Sequence, residues 1–137
     1  MTKGDYHQRL VGAALKAREQ AYVPYSMYRV GAAVLTRSGK IYSGCNIENS
    51  SYGLTVCAER TAIFKAISEG EQEFKAIAVA VDTEQPATPC GACRQVMSEF
   101  FTDNTEIILI NTAGHGDITT ISQLLPAAFT PRNLNER

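Results

Sequence analysis

The 137-residue chain carries a formal net charge of −1, from 13 basic and 14 acidic residues, and 45% of it is hydrophobic. That length suits one domain over residues 1–137, and the charge lacks the basic excess typical of nucleic-acid-binding proteins. No apolar run approaches the ~18 residues of a membrane helix, and the polar, mixed-charge stretch Met1–Gly12 is unlike a signal peptide. We therefore expect a cytoplasmic protein that binds neither membranes nor nucleic acid.

The N-terminal half of the chain predicts one helix followed by a β-hairpin. Apolar residues recur at helical spacing over Tyr6–Ala21, and Pro24 stops the pattern. Residues Tyr28–Thr36 alternate and then become continuously apolar, which is typical of a buried strand. A Ser-Gly-Lys turn separates this strand from a second one over Ile41–Ile47, so the two are expected to pair.

The C-terminal half alternates helices with short apolar strands. Gly70 stands where the first of these helices would end, and Pro126 where the last would. The mixture predicts an α/β fold, a three-layer α/β/α sandwich with helices on both faces of one mixed central sheet. In chain order the predicted elements are a helix (Cys57–Glu69), a strand (Ala76–Val81), a helix (Cys90–Phe101), two strands (Glu106–Ile110 and Asp117–Thr120) and a short helix (Ile121–Leu125).

Three of the four cysteines lie at predicted helix starts. Cys90 and Cys93 are three residues apart, which places both sulfurs on one face of a first helical turn, and Cys57 begins the preceding helix. Helix N-termini favour thiolates, and thiolates bind zinc. Three protein ligands leave one position of tetrahedral zinc open, as in catalytic sites. Glu59 lies two residues beyond Cys57, close enough to move protons there without ligating the metal.

Two other interpretations of these residues stay open at this point. Cys45 could be a fourth ligand and close the site, which would make the chain a non-catalytic, zinc-stabilised module. We favour Cys45 as a small buried strand residue, because structural sites usually pair two C-x-x-C units and Cys57 stands alone. Glu59 by itself could be an ordinary solvated helix residue, but its position beside Cys57 favours a catalytic role.

The two cysteine segments resemble the zinc signature of the cytidine deaminase superfamily. They are Cys57-Ala58-Glu59 and Pro89-Cys90-Gly91-Ala92-Cys93. Nearly the whole chain is similar to the short homotetrameric cytidine deaminases, which implies zinc-dependent hydrolysis of cytidine and deoxycytidine to uridine and deoxyuridine plus ammonia, in pyrimidine salvage. The other matching segments, in the same order and with similar spacing, are Pro24-Tyr25-Ser26, Gly31-Ala32-Ala33, Gly44–Asn49, Cys57–Ala62 and Cys90–Gln95.

The resemblance also implies roles around the metal. Glu59 would carry protons to ring nitrogen 3 of the base and then to the leaving amine. Arg60 would tune the charge of the zinc site, and Arg94 would soften it too. One Zn²⁺ per subunit would be held by Cys57, Cys90 and Cys93.

The substrate contacts follow from the same resemblance. Asn46 and Glu48 would hydrogen-bond the ribose 3′-hydroxyl, and the backbone N–H of Ala58 would hold the base carbonyl at position 2. Tyr28 stands where many relatives have phenylalanine, and its ring would stack on the base. Phe129 would reach the active site of a neighbouring subunit in a homotetramer with shared sites.

A deaminase acting on nucleotides or nucleic acid is the rival expectation. Such enzymes share the zinc motif but usually have histidine as the first ligand, where this chain has Cys57. A phosphate site would need a basic or glycine-rich pocket, and the sequence has none. Blasticidin-type deaminases also resemble the zinc motif, but the pair Asn46 and Glu48 favours cytidine as substrate.

Overall fold

The computed structural model describes residues 3–135. Along these residues the predicted helices and strands follow one another in the predicted order. The 3-10 turn and α5 were not predicted. No helix among these residues is both long and apolar enough to cross a membrane. In chain order the elements are α1 (Lys3–Arg18), β1 (Gly31–Thr36), β2 (Ile41–Cys45), a 3-10 turn (Tyr52–Leu54), α2 (Ala58–Ser68), β3 (Phe74–Val81), α3 (Gly91–Phe100), β4 (Glu106–Asn111), β5 (Gly116–Thr119), α4 (Ile121–Leu124) and α5 (Pro131–Asn135).

The five strands form one mixed sheet in the order β2-β1-β3-β4-β5. Strand β1 is antiparallel to both of its neighbours, so that Ala33 lies opposite Ser43 of β2 and Ala78 of β3. Strands β3 and β4 are parallel, and β5 returns antiparallel to β4. The expected mixed central sheet is therefore confirmed.

Helices cover both faces of this sheet. On one face, α1 buries Leu10 and Ala14 against small residues such as Ala33 and Ala78. On the other face, α2 and α3 bury a larger apolar cluster, whose members include Ala62, Ile63, Met97, Val34, Ile77, Ile107 and Leu109. Successive strand residues point to opposite faces, which is why Ala33 and Val34 belong to different clusters. The predicted three-layer sandwich is confirmed.

Several boundaries differ from the sequence expectation, and two of them, at the ends of one loop, share a reason. Helix α1 ends at Arg18 and not at Ala21, and β1 begins at Gly31 and not at Tyr28. The apolar residues beyond α1 are buried in a loop, where Tyr22 forms an isolated bridge with Ile47. Burial of irregular backbone produces the same apolar pattern as burial of a helix or strand, so the periodicity extended both elements too far.

The chain connections place the starts of α2 and α3 at one edge of the sheet. Because β1 is antiparallel to β2 and β3, those two strands run in the same direction, and α2 is the crossover between them. Helix α3 is likewise the crossover between the parallel strands β3 and β4. Both helices therefore begin beside the carboxyl ends of parallel strands and pack on the same face.

Candidate active site

The residues that lead into α2 and α3 bring three cysteines together. Cys57 is the N-cap of α2, Cys90 is the N-cap of α3, and Cys93 lies in the first turn of α3. Their sulfur atoms lie within 4.8 Å of one another, and the Sγ atoms of Cys57 and Cys90 are 3.7 Å apart. All three are free thiols. Cys45 is half-buried in β2 and does not join the cluster, so the interpretation as a closed four-cysteine site is wrong.

The cluster suits a soft divalent cation. Hydrogen bonding from the Cys93 thiol lowers the pKa of Cys57 to about 5. Burial acts in the opposite direction, and hydrogen bonds from Arg60 and Cys90 lower the pKa further. The same contact with Cys57, together with burial, raises the pKa of Cys93. Three thiolates this close can therefore coexist only around a cation. Sulfur ligands select zinc over magnesium or calcium, so the residues present fit the expected zinc ion.

Two arginines follow the cysteine segments, and they behave differently. Arg60 donates from Nη2 to the Sγ atom of Cys57 over 3.6 Å, which agrees with a charge-tuning position. Arg94 instead donates from Nε to the carbonyl of Pro89 and from Nη1 to the carbonyl of Leu124, each over 2.7 Å. Arg94 thus ties the start of α3 to the C-terminal segment, and the expectation that it softens the thiolate charge is not supported.

Glu59 is a buried carboxyl beside the cluster. It is the second residue of α2 and only 5% exposed, so its interpretation as a solvated helix residue is wrong. Burial raises the pKa of Glu59 to about 7, and the neighbouring Cys57 thiolate acts in the same direction. A carboxyl group with a pKa near neutrality can both accept and release a proton during a reaction.

A cavity of about 200 Å³ joins these groups to other predicted site residues. Tyr28 and Asn46 form one side of it, and Ala58 and Glu59 lie at the start of α2. Thr55 also lines a neighbouring pocket of about 390 Å³, whose lining includes Glu48. The complete lining of the smaller cavity is Tyr28, Val30, Asn46, Thr55, Cys57, Ala58, Glu59, Val81, Ala87, Thr88 and Cys90.

The predicted sugar-contacting residues are held by the backbone of the loop before β1. Asn46 donates from Nδ2 to the carbonyl of Tyr28 over 2.7 Å and accepts the N–H of Val30 over 2.9 Å. Glu48 accepts the backbone N–H groups of Tyr25 and Ser26 over 3.0 and 3.1 Å. Hydrogen bonds led by the Ser26 hydroxyl lower the pKa of Glu48, so this carboxylate is negatively charged near neutral pH.

Phe129 lies apart from the site of its own chain. It follows α4, is 59% exposed and lines neither pocket. Its backbone carbonyl accepts a hydrogen bond from Nε2 of Gln95 over 2.8 Å. The ring is therefore available for contact with another molecule.

Sequence reasoning gave no role to several polar groups of the site. Thr55 and Thr88 line the cavity, and the hydroxyl of Ser26 contacts Glu48. Ser26 is part of the Pro24-Tyr25-Ser26 segment that resembles the cytidine deaminases. That match was the one feature of the sequence that could have marked Ser26 as a site residue. Nothing in the periodicity of Thr55 or Thr88 marks them as site residues.

Comparison with known proteins agrees with this geometry. The zinc-binding region of the cytidine and deoxycytidylate deaminases matches residues 5–109, about three quarters of the chain. The chain belongs to this family. A cytidine deaminase from Sporosarcina psychrophila is 55% identical over 128 residues, 93% of this chain and 94% of its own length. A cytidine deaminase from Halalkalibacterium halodurans is 54% identical over 129 residues, 94% of this chain and 98% of its own length.

The fold is that of the solved enzymes of the family. The crystal structure of a cytidine deaminase from Burkholderia pseudomallei superposes with a TM-score of 0.87 at 50% identity, over 94% of this chain and all of that one. Membership of the family also confirms zinc as the cofactor that the three cysteines fit.

Proposed function

We propose that this protein is a zinc-dependent hydrolase that converts cytidine and deoxycytidine to uridine and deoxyuridine, with release of ammonia. One observation carries the proposal: a buried carboxyl, Glu59, faces the same cavity as Cys57 and Cys90 of the three-sulfur cluster. The sequence similarity to cytidine deaminases over more than nine tenths of the chain supports the same substrate. The whole chain would form one catalytic domain.

The chain's own residues would orient the base and move its protons. When bound, zinc supplies a nucleophile derived from water near neutral pH. The Glu59 carboxylate would take up a proton from water and deliver it to ring nitrogen 3, which would make carbon 4 more electrophilic. Glu59 would then carry the second proton of the water to the amine, so that the carbon–nitrogen bond breaks, ammonia leaves and the oxygen stays on carbon 4 as a carbonyl. The N–H of Ala58, first in α2 and without an intrahelical acceptor, would hold the base carbonyl.

The sugar side of the site favours a free nucleoside. Asn46 and Glu48 would bind the ribose 3′-hydroxyl, and the ring of Tyr28 would stack on the base. The ionised Glu48 would repel a phosphate group carried by the same sugar. CMP should therefore be a poor substrate, whereas cytidine and deoxycytidine should both react.

We further propose a cytoplasmic homotetramer that works in pyrimidine salvage, with active sites shared between subunits. The exposed ring of Phe129 supports this arrangement, because it lies outside the site of its own chain. A second copy would cover that ring and place it on the bound base. Closed symmetric assembly buries apolar groups of this kind.

The proposed chemistry is tested by Glu59→Gln, which keeps the size of the side chain and removes the titrating group. General acid–base catalysis contributes on the order of 10²–10⁴ in rate, so turnover of cytidine should fall at least that far while zinc stays bound. Glu99→Gln, on the exposed surface of α3, is the matched control. Turnover within a few fold of wild type would contradict the role of Glu59. Efficient reaction of CMP or an RNA oligonucleotide would place the protein in the rival class.

Sharing of sites is tested by mixing Glu59→Gln with a severely impaired Phe129 variant after reversible dissociation. Some mixed interfaces would then pair an intact Glu59 with an intact Phe129, so activity should partly return. Phe129→Ala alone should weaken substrate binding and retain zinc. A fully active monomer in sedimentation, or no recovery despite confirmed subunit exchange, would rule out shared sites.

A further inference from the structure

The loop between α1 and β1 is held by side-chain hydrogen bonds in addition to the backbone bridge between Tyr22 and Ile47. Met27 is 74% exposed and has a φ of 60°, a left-handed conformation that is uncommon for a residue other than glycine. A conformation of this kind persists only where neighbouring contacts fix it. The N–H of Met27 donates to the carbonyl of Val23 over 3.0 Å, and the residues on either side of Met27 make further contacts.

Ser26 makes the central contact, because its hydroxyl joins two residues of the proposed substrate site. Its Oγ atom donates to Oε2 of Glu48 and accepts the backbone N–H of Tyr28 over 3.0 Å. An ionised carboxylate can only accept hydrogen bonds. The hydroxyl proton of Ser26 is therefore committed to Glu48, which leaves an oxygen lone pair for the N–H of Tyr28.

The backbone of Tyr28 is held on both sides by this network. Ser26 accepts its N–H, and Asn46 donates to its carbonyl over 2.7 Å. Asn46 also accepts the N–H of Val30, which fixes the entry into β1. Asn46 has used one of its two amide hydrogens, so a second remains for a ligand.

We propose that Ser26 is a positioning residue that couples the sugar-binding carboxylate of Glu48 to the base-stacking ring of Tyr28. This inference rests on the proposed function, and it adds a residue that acts through the two proposed to touch substrate. A displacement of Glu48 when the sugar binds is passed through one hydroxyl to the backbone of Tyr28. Sugar recognition and base stacking then strengthen each other.

The first test compares Ser26→Ala with wild type in steady-state assays on cytidine. Loss of a hydrogen bond to a charged group should raise KM about tenfold, while kcat stays within about threefold because Glu59 and the cysteines are untouched. Ser26→Thr keeps the hydroxyl and should restore KM. Ser122→Ala, which removes another exposed serine hydroxyl on α4, is the control and should leave both constants unchanged.

The second test is a double-mutant cycle with Glu48→Gln. Because part of the effect of Ser26 passes through Glu48, the double variant should raise KM by less than the product of the two single effects. Additive effects, or a KM for Ser26→Ala within twofold of wild type, would overturn the assignment. Failure of the wild-type protein to deaminate cytidine would instead overturn the proposed function and this assignment with it, so the two failures are distinguishable.

Discussion

Gly44 determines how closely α2 can approach the sheet, and a single methyl group there should disturb the metal site. A Cβ atom added at Gly44 would lie 2.7 Å from the backbone nitrogen of Ala62 and 2.8 Å from Cβ of Thr61. Both atoms belong to α2, whose N-cap is Cys57. The perturbation Gly44→Ala therefore acts on the helix that follows Cys57 of the cluster and carries Glu59.

The size of the effect follows from those distances. The contact with Ala62 is about 0.7 Å shorter than the 3.4 Å at which ordinary contact begins, and a backbone nitrogen cannot rotate away. Overpacking of this kind costs about 1–3 kcal/mol, or roughly 3–10 °C in Tm for a chain of this length. Metal–ligand distances tolerate only about 0.2 Å, so a helix displaced by several tenths of an ångström should also bind zinc less tightly.

The assay measures thermal unfolding, zinc retention against a competing chelator, and turnover for Gly44→Ala and for Gly53→Ala. Gly53 has no heavy atom within 4 Å of an added Cβ, so its variant controls for the loss of a glycine. We expect the first variant to lose stability, zinc affinity and activity together, and the second to resemble wild type. Equal melting temperatures would refute the contact argument, and lowered stability with unchanged zinc affinity would refute its link to Cys57.

Two further predictions concern charge. Arg60→Ala removes the cation beside Cys57. Zinc should stay bound, but activity should fall and the pH–activity profile should move to higher pH. A profile superimposable on that of the wild type would show that Arg60 is only a surface charge. Burial disfavours the charge of Glu106, but hydrogen bonds from His7 and Tyr6 lower its pKa from 4.5 to about 2. Its stabilising contribution is complete above the unfolded pKa and is lost as pH falls through the folded value. Glu106→Gln should therefore cost roughly 1–3 kcal/mol at pH 7 and little near pH 2 in urea titrations; a difference that does not change with pH would contradict this.

Periodicity located the central elements because they are buried on every side. All six residues from Ala76 to Val81 are buried in β3, which explains why a continuous apolar run was enough to predict this strand. Helix α5 (Pro131–Asn135) buries no residue, so it has no apolar pattern from which it could be predicted. The quality of a sequence-based prediction thus followed the depth of burial of each element.

The grouping of the cysteines with Glu59 could be predicted because residue type and spacing alone indicate a metal site beside a carboxyl. The contacts that support them could not, since they join residues distant in sequence through common side chains. Glu106, for example, is held by Tyr6 and His7 of α1, about a hundred residues away. No motif distinguishes these residues from ordinary surface polar groups.

The exact start of α2 explains how Glu59 and Cys57 can share one cavity. The sequence prediction began the helix at Cys57, yet residues two apart within a helix project in nearly opposite directions. In the structure the helix begins at Ala58, and Cys57 is an extended N-cap with φ −70° and ψ 153°. Its backbone leaves the helical path, so its side chain is free to turn towards the cavity that Glu59 lines from within the helix. A boundary shift of one residue therefore allows Cys57 and Glu59, the proposed metal ligand and the proposed proton carrier, to line one cavity.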